Sequence, residues 1–408
     1  MAPKPLSPET KAIVKACVPA LEAKGVDITQ EMYKRLLANP EIRDLFNMSH
    51  QKDGEQQRAL AFSVLAYAKH IDNPAPLGPM IERIAEKHVG LNILPEHYPY
   101  VGKALLEAIA HVLGDAATPE IMAAWTEAYW FLADVLIGRE HQIYEDHAHQ
   151  PGGWVGWRRF RVAERRPEAE DIVSFKLVPA DGKEVMLHKP GQYLSFRLDV
   201  PEHGSQRRNY SISSAPSHDH YRLTIKRQPE GVVSNWFYDN VREGQELDVS
   251  APAGDFQLPA EPQKPVVFLS GGVGVTPMIS MIETLAENAN APKMHYVHST
   301  HSPKTEAFGD LIRKLTAEKK MTADLFFSRD KAGAPATTPG MAVHEGRIPF
   351  EWVTTNLDRT ADYYICGPVD FLVLMVQTLK EAGLPTEQIH YEMFGSASNP
   401  YLALDADA

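Results

Sequence analysis

Ala148-His149-Gln150-Pro151-Gly152-Gly153-Trp154 is the stretch at which this chain changes period. Behind it, back to the amino terminus, apolar residues recur at three- and four-residue spacing, with Pro40, Pro74, Pro76, Pro95 and Pro119 at the joints. Ahead of it the spacing becomes alternation, as in Phe160 to Val162 and Ile172 to Val178. A proline followed by two glycines does not continue a helix, so an all-α domain over residues 1–147 is expected to give way to a β-rich one from 154. His147 and His149 read as linker residues.

Further out, Tyr193 to Leu198, Asn209 to Ser213 and Tyr221 to Lys226 are strand-like, which suits a small antiparallel barrel over 154–260. A proline-rich joint, Pro259 to Pro265, ends it. Over 265–408, short apolar runs at Val266 to Leu269, Met294 to Val297, Leu325 to Phe327 and Tyr363 to Ile365 alternate with helical segments, the pattern of a parallel α/β sheet. The expected fold class is therefore multi-domain: all-α, then antiparallel β-barrel, then parallel-sheet α/β.

A chain of 408 residues has room for two or three such cores. Lys and Arg number 41 against 53 Asp and Glu, a net charge of -12 without a long basic run, so nucleic acid and anionic lipid are poor partners and small-molecule chemistry is favoured. The amino terminus MAPKPLSPETKAIVKAC lacks a signal-peptide layout, and runs such as Val373 to Val376 are too short for a transmembrane segment, so a cytoplasmic protein is expected. Cys17 and Cys366 stand far apart and indicate neither a disulfide framework nor a cysteine metal site.

In IERIAEKHVG, residues Ile81, Ile84, Ala85 and His88 share one helical face. Spacing alone leaves two readings of His88: a hydrogen-bonded core histidine, which is the commoner case, or a ligand. Gln56, Leu60, Val64 and Tyr67 form a second stripe, and Tyr33 lies beside Leu36 and Leu37 on a third helix, so several polar groups interrupt apolar faces. Glu140 shares a face with Leu136 and Tyr144; it is either a buried carboxylate that needs a donor or a surface residue paired with Arg139.

RRNYSISS (207–214) resembles the R-x-Y-S motif of the ferredoxin reductase superfamily. Alternation puts Arg208 and Tyr210 on one face, suited to a pyrophosphate and a flavin ring, with Ser211 on the other. PGQYLSF (190–196), EGVVSNWFY (230–238) and APAGDF (251–256) extend the likeness, and the second is a turn into a helix whose first N–H groups favour an anion. PVVFLSGGVGVTPMISM (265–281) is a strand, a glycine turn and a helix, with Thr276 expected as N-cap and Pro277 as first helical residue. Its glycine spacing is not G-x-G-x-x-G, so a conventional Rossmann dehydrogenase is disfavoured; it resembles the reductases' G-x-G-x-T-P turn. YYICGPVDFL (363–372) resembles their C-G-P motif, where Cys366 is either at an active site or a small buried apolar residue. His295, His298 and His301 invite a metal reading, but 295 and 298 point to opposite faces of a strand.

FNMSHQ (46–51) and EKHVGLNILPEHYPYVG (86–102) resemble the haem-cradling corner and proximal segment of bacterial flavohaemoglobins, and the three modules follow in that family's order over nearly the whole chain. The resemblance implies a globin haem domain with His88 as iron ligand, Phe46 against the porphyrin, Tyr33, Gln56 and Leu60 on the distal side, and Tyr98 and Glu140 hydrogen-bonded to one another and to His88. Lys87 is matched to a residue near the haem and flavin edges, although a solvated lysine explains it as simply. For FAD it implies Gln192, Tyr193, Arg208, Asn209, Tyr210, Ser211, Gly231, Val232, Val233 and Ser234, with Phe394 covering the flavin. For NAD(P)H it implies Gly271, Gly272, Gly274, Val275, Thr276, Pro277, Cys366, Gly367 and Pro368.

The activity so implied is a nitric oxide dioxygenase that uses NAD(P)H, FAD and haem b to turn nitric oxide and dioxygen into nitrate. A monomer is implied as well, with a distal pocket open to a lipid or inhibitor. The competing readings are an oxygen-binding or sensing globin with a reductase, and a reductase of hydroperoxides or other acceptors. Three departures stand out: a Tyr33 to Asn39-Pro40 interval one residue short, Asn209 for a common glutamine, and Met393 for cysteine or valine. The tail SASNPYLALDADA has no assigned role.

Overall fold

The computed structural model describes residues 4–43, 45, 54–356 and 358–394. The helical region comprises α1 (Pro8–Ala16), α2 (Val18–Leu36), α3 (Pro40–Arg43), α4 (Glu55–Lys69), α5 (Gly78–Gly90), α6 (Tyr98–Leu113) and α7 (Pro119–His149). Pro8 and Pro119 open their helices where the missing N–H costs nothing, and the Ser7 and Thr118 hydroxyls cap them by accepting from Thr10 N (3.0 Å) and Ile121 N (3.4 Å). Helix α2 packs on α4 and α6, and α7 runs beside α1 and α5. Ile28, Met32, Leu36, Leu105, Ile109 and Trp125 are buried at their centre, each such side chain contributing about 1.5–3 kcal/mol. The chain stays helical through His149, so His147 and His149 are not linker residues: His147 is buried on the same α7 face as Leu136, Glu140 and Ile143. The helix breaks only at the turn Pro151-Gly152, where Gly153 N reaches the Gln150 carbonyl.

The next unit contains β1 (Arg158–Ala169), β2 (Ile172–Pro179), β3 (Tyr193–Val200), β4 (Gly204–Ser211), β5 (Tyr221–Lys226), α8 (Val232–Asn240) and β6 (Glu246–Val249). Its strands form an antiparallel sheet in the order β4-β3-β6-β1-β2-β5. Just past β4, Ile212 bridges to Leu223 of β5, which curls the sheet toward closure. Inward-facing Phe160, Phe175, Phe196 and Leu223 fill it, with Phe237 of α8 plugging one end.

The third unit contains β7 (Val266–Gly271), α9 (Val275–Glu287), β8 (Met294–Thr300), α10 (Gly309–Ala317), β9 (Thr322–Phe327), β10 (Met341–Glu345), α11 (Phe350–Asn356), β11 (Asp362–Gly367), α12 (Val369–Glu381) and β12 (Ile389–Met393). All its strands are parallel, in the order β10-β9-β8-β7-β11-β12. The chain winds outward from β7 to β10 and then crosses to the other side of β7, so a topological switch point lies between the carboxyl ends of β7 and β11, where such sheets bind ligands. The fold class is the one expected. The expected apolar strand runs fall in β7, β8, β9 and β11, whereas β10 and β12 lie at sheet edges and carry polar residues (MAVHE, IHYEM) that blur an apolar run. Among the described residues no helix is long and apolar enough to cross a membrane.

Candidate functional site

His88 lies in the last turn of α5, facing α7. Its Nδ1 is 2.7 Å from Glu140 Oε1 and 3.1 Å from the Tyr98 hydroxyl, which itself donates to Glu140 Oε1 at 2.5 Å. A carboxylate has only acceptors, so Nδ1 carries the proton toward it and the Nε2 lone pair is left free. Nε2 has no hydrogen-bond partner among the described residues, and the His88 side chain is 32% exposed while Glu140 is 2% exposed. Burial, and then the Glu140 charge, push the Tyr98 phenol above its ordinary range, which keeps it a neutral donor. Arg139 pairs instead with Glu82 at 2.6 Å, so Glu140 is the buried carboxylate and not a surface partner of its neighbour.

Across the bundle, Tyr33 of α2 is buried and its phenol is likewise pushed up by burial. Leu60 packs on the same cluster, and Gln56 lies one turn before it on α4. Leu60, Val64, Ile81, Ile84 and Ile93 belong to the packed interior yet remain half-exposed. Such an apolar wall, a free imidazole lone pair and a buried phenol fit a large flat hydrophobic group carrying a metal. Phe46 lies outside the described residues.

The same helix docks on both other units. Glu86 Oε2 accepts from Gly254 N at 2.9 Å, and Arg83 pairs with Asp255 at 3.2 Å while its guanidinium stands 5.8 Å from the Tyr391 ring centre. A Cβ on Gly90 would lie 3.0 Å from Ser195 Oγ and 3.2 Å from the Tyr193 ring, so β3 touches α5 two residues beyond His88. Arg207 donates to the carbonyl of Leu91, the residue that ends α5. Lys87 is not a solvated lysine. Burial lowers its pKa, opposed by Glu392 and Asp255 and reinforced by Arg83. Glu392 is in turn pushed up to about 7, chiefly by burial, with Lys87 acting against it. Sequence reasoning passed over Arg83, Glu86, Asp255 and Glu392, because charged residues read as solvated until the units that bury them are assembled.

On β4, Arg208 and Tyr210 are half-buried, Asn209 is exposed and Ser211 is buried. Desolvation lowers the Arg208 pKa, and Asn209 Oδ1 accepts from Ser195 Oγ at 2.8 Å. Gln192 and Tyr193 are buried on the neighbouring strand side, where the Tyr193 phenol has no hydrogen-bond partner among the described residues. Helix α8 starts at Val232 with Gly231 as N-cap, so the N–H groups of Val232, Val233 and Ser234 are the unpaired first turn. The desolvated guanidinium, the orphaned phenol and this turn fit an anionic group with an aromatic plane.

After β7, a 3-10 turn, Gly272–Gly274, leads straight into α9 at Val275 with Gly274 in the N-cap position. Thr276 is therefore not the N-cap and Pro277 is not the first helical residue: the chain is already helical, and the Thr276 hydroxyl donates back to the Val273 carbonyl at 3.1 Å. A Cβ on Gly274 would fall 2.2 Å from the Cys366 carbonyl oxygen, and one on Gly271 3.2 Å from Pro368, so the Gly271–Gly274 and Cys366-Gly367-Pro368 turns meet at the switch point. Cys366 is fully buried and burial pushes its thiol up, which makes it an inert packing residue beside that crevice. Phe394 is 43% exposed. His298 is buried against Ser270 Oγ (2.8 Å), whereas His295 faces Thr322 and Asp324 on the other side of the sheet.

Family models match in the same order: Globin over residues 30–136, Oxidoreductase FAD-binding domain over 159–258 and Oxidoreductase NAD-binding domain over 268–377. The chain is 46% identical to a flavohemoprotein of Xylella fastidiosa, covering 95% of this chain and 97% of that one, and 42% identical to one of Pseudomonas aeruginosa, covering 98% and 100%. A solved flavohemoglobin from Malassezia yamatoensis, with bound FAD and heme, superposes with a TM-score of 0.84 at 31% identity, covering 96% of this chain and all of that one. The FAD/NAD binding domain of a nitric oxide dioxygenase from Vibrio cholerae matches 59% of the chain with a TM-score of 0.52 at 31% identity. With its helical, barrel and parallel-sheet units matched in order and over nearly their whole length, the chain belongs to the flavohaemoprotein family.

Proposed function

We propose that this chain is a nitric oxide dioxygenase, an NAD(P)H-dependent flavohaem oxidoreductase working through residues 1–147, 154–260 and 265–408 in turn. Nitric oxide, dioxygen and one electron give nitrate, so one NAD(P)H supports two turnovers and releases one proton. Bound haem supplies dioxygen activation at its iron, and bound FAD divides a hydride's electron pair into single electrons. Every other requirement falls on side chains of this protein.

His88 would hold the haem iron through Nε2, the nitrogen its Glu140 and Tyr98 contacts leave free. The observation that carries the reading is its Nδ1 contact with the buried Glu140, reinforced by Tyr98. A carboxylate accepting from the ligand's outer nitrogen gives the imidazole anionic character, which favours oxygen activation over storage and so favours an enzyme over a carrier or sensor. Tyr33, buried and neutral, would be the hydrogen-bond donor to an oxygen ligand of the bound group, with Gln56 beside it and Leu60 limiting access. Arg208 and the α8 first turn would bind the flavin's pyrophosphate, Tyr210 and Ser211 would orient its ring, and the Gly271–Gly274 and Cys366–Pro368 turns would position the nicotinamide. Lys87 lies at the meeting of the three units, desolvated and beside Glu392 and Asp255, where it would hold positive charge near the flavin-binding unit.

The test is His88→Ala in the full chain. The variant is expected to lose haem and nitric oxide consumption while keeping NAD(P)H-driven reduction of artificial acceptors at the flavin. Retained nitric oxide consumption, or no acceleration of wild-type NAD(P)H oxidation when nitric oxide is added to an aerobic solution, would overturn the proposal.

A further inference from the structure

Helix α9 starts at the glycine turn and is fastened to the barrel by two polar side chains one turn apart. Ser280 is fully buried, and its Oγ lies 3.1 Å from His188 Nε2, which is also 3.1 Å from the Ser214 carbonyl. A carbonyl only accepts, so Nε2 carries the proton and shares it between the two oxygens. Three residues on, Glu283 Oε1 accepts from Arg222 Nη2 of β5 at 2.8 Å, and Oε2 accepts from Ala215 N at 3.0 Å. Arg222 also donates to the Ser213 carbonyl and stands 5.0 Å from the Phe308 ring centre, so the pair is braced from three sides.

The barrel ends of these contacts lie on the segments that carry the flavin candidates. His188 stands four residues before Gln192 and five before Tyr193, while Ser214 and Ala215 follow Ser211 by three and four residues. In the first of these segments Gly191 has a φ of +107°, and a Cβ there would fall 2.6 Å from Met281 Cε, so the loop backbone lies directly on α9. At a rise of 1.5 Å per residue, Ser280 and Glu283 stand about 8 and 12 Å along the axis from Val275, where the glycine turn passes into the helix.

Met278, Ile279 and Ile282 seat α9 in the apolar core. Apolar burial is non-directional and tolerates a slide along the axis, whereas a carboxylate that accepts from two separate donors fixes both distance and angle. Hydride transfer needs the reacting atoms about 3–3.5 Å apart, and a misplacement of about 1 Å costs on the order of 100-fold. Contacts that set the distance between the flavin strands and the glycine turn therefore act on the transfer step, without touching either cofactor.

We propose that Glu283 and Ser280 are positioning residues for hydride transfer: through Arg222, Ala215 and His188 they hold the Gly271–Gly274 turn at a fixed distance from the flavin-bearing strands. The inference rests on the oxidoreductase reading above. It is tested in the FAD- and haem-loaded full chain by anaerobic stopped-flow flavin reduction with NADH and NADPH, and with each coenzyme deuterated at the nicotinamide C4, for wild type, Glu283→Ala, Glu283→Gln and Ser280→Ala. Glu283→Ala is expected to lower the limiting reduction rate about tenfold or more, with the apparent dissociation constants of both coenzymes within about threefold and an isotope effect at least as large as in wild type. Glu283→Gln, which keeps the length and one acceptor, restores part of that rate, and Ser280→Ala loses about two- to fivefold. Oxidation of the chemically reduced flavin by an artificial acceptor keeps its rate in every variant, because electrons leaving the flavin do not use the glycine turn. A lowered thermal midpoint with an unchanged limiting rate would reduce these contacts to structural ones, and a rise in dissociation constant that accounts for the whole loss would place them in coenzyme binding; either outcome overturns the proposal. Should Glu283→Ala fail to fold, wild-type limiting rates in both Glu283→Gln and Ser280→Ala do the same. If neither coenzyme reduces the wild-type flavin, the oxidoreductase reading itself fails.

Discussion

One carboxylate oxygen, Glu140 Oε1, accepts from two donors inside the helical bundle, and removing its charge leaves both with a weaker acceptor. Glu140→Gln is therefore expected to lower nitric oxide turnover by about 10- to 100-fold, the usual cost of altering the partner of a metal-bound histidine, with haem retained. Tyr98→Phe removes only one of the two contacts and is expected to cost less. Steady-state turnover normalised to haem content, read beside the absorption spectrum, checks both. Equal turnover in Glu140→Gln and wild type would show that the hydrogen bond merely satisfies a buried imidazole.

At the scale of elements, two backbone approaches govern how the units work together. Helix α5 carries His88 and ends against Tyr193 and Ser195 of β3 at Gly90. Gly90→Val pushes those surfaces apart, so haem reduction after mixing with NAD(P)H is expected to slow at least about tenfold while flavin reduction keeps its rate; stopped-flow absorbance separates the two phases. In the parallel sheet, Gly274 stands against the Cys366 backbone, which cannot swing aside as a side chain can. Gly274→Ala is expected to destabilise that unit by about 3 kcal/mol or more and to abolish flavin reduction, leaving the haem spectrum intact. Calorimetry showing an unchanged profile would refute this.

For the whole molecule, buried imidazoles couple stability to pH. Burial pushes His188 down to about 3 and His147 and His298 down to about 4. These residues sit at the end of α7, between the barrel and α9 (His188 Nε2 is 3.1 Å from Ser280 Oγ), and within β8. Their folded pKa values lie below the unfolded one near 6.5, so the unfolded chain binds more protons. Stability is then fully present above about pH 6.5 and falls as pH drops toward 4, by about 1.4 kcal/mol per unit for each such group. Glu392 has the opposite sign: its pKa is raised to about 7, so its protonation favours the folded state as pH falls. Thermal midpoints between pH 7 and 4.5 should decline, less steeply in His188→Asn and more steeply in Glu392→Gln. A decline unchanged by either substitution would show that neither group carries the dependence.

The order of modules, the periods within them and the positions of His88 on its helix, Arg208 on its strand and Gly274 in its turn were legible in the sequence because periodicity, turn chemistry and motif spacing are local properties of the chain. The start of α9 at Val275 was misread, since a 3-10 turn and a capped start look alike in a row of glycines. Strands β10 and β12, and the charged cluster of Arg83, Glu86, Lys87, Asp255 and Glu392, were decided only by tertiary structure. An edge strand acquires its identity from the neighbour it pairs with, and a charged residue acquires its burial and its partners when separate units close over it. Those are contacts between residues far apart along the chain, which no local pattern encodes.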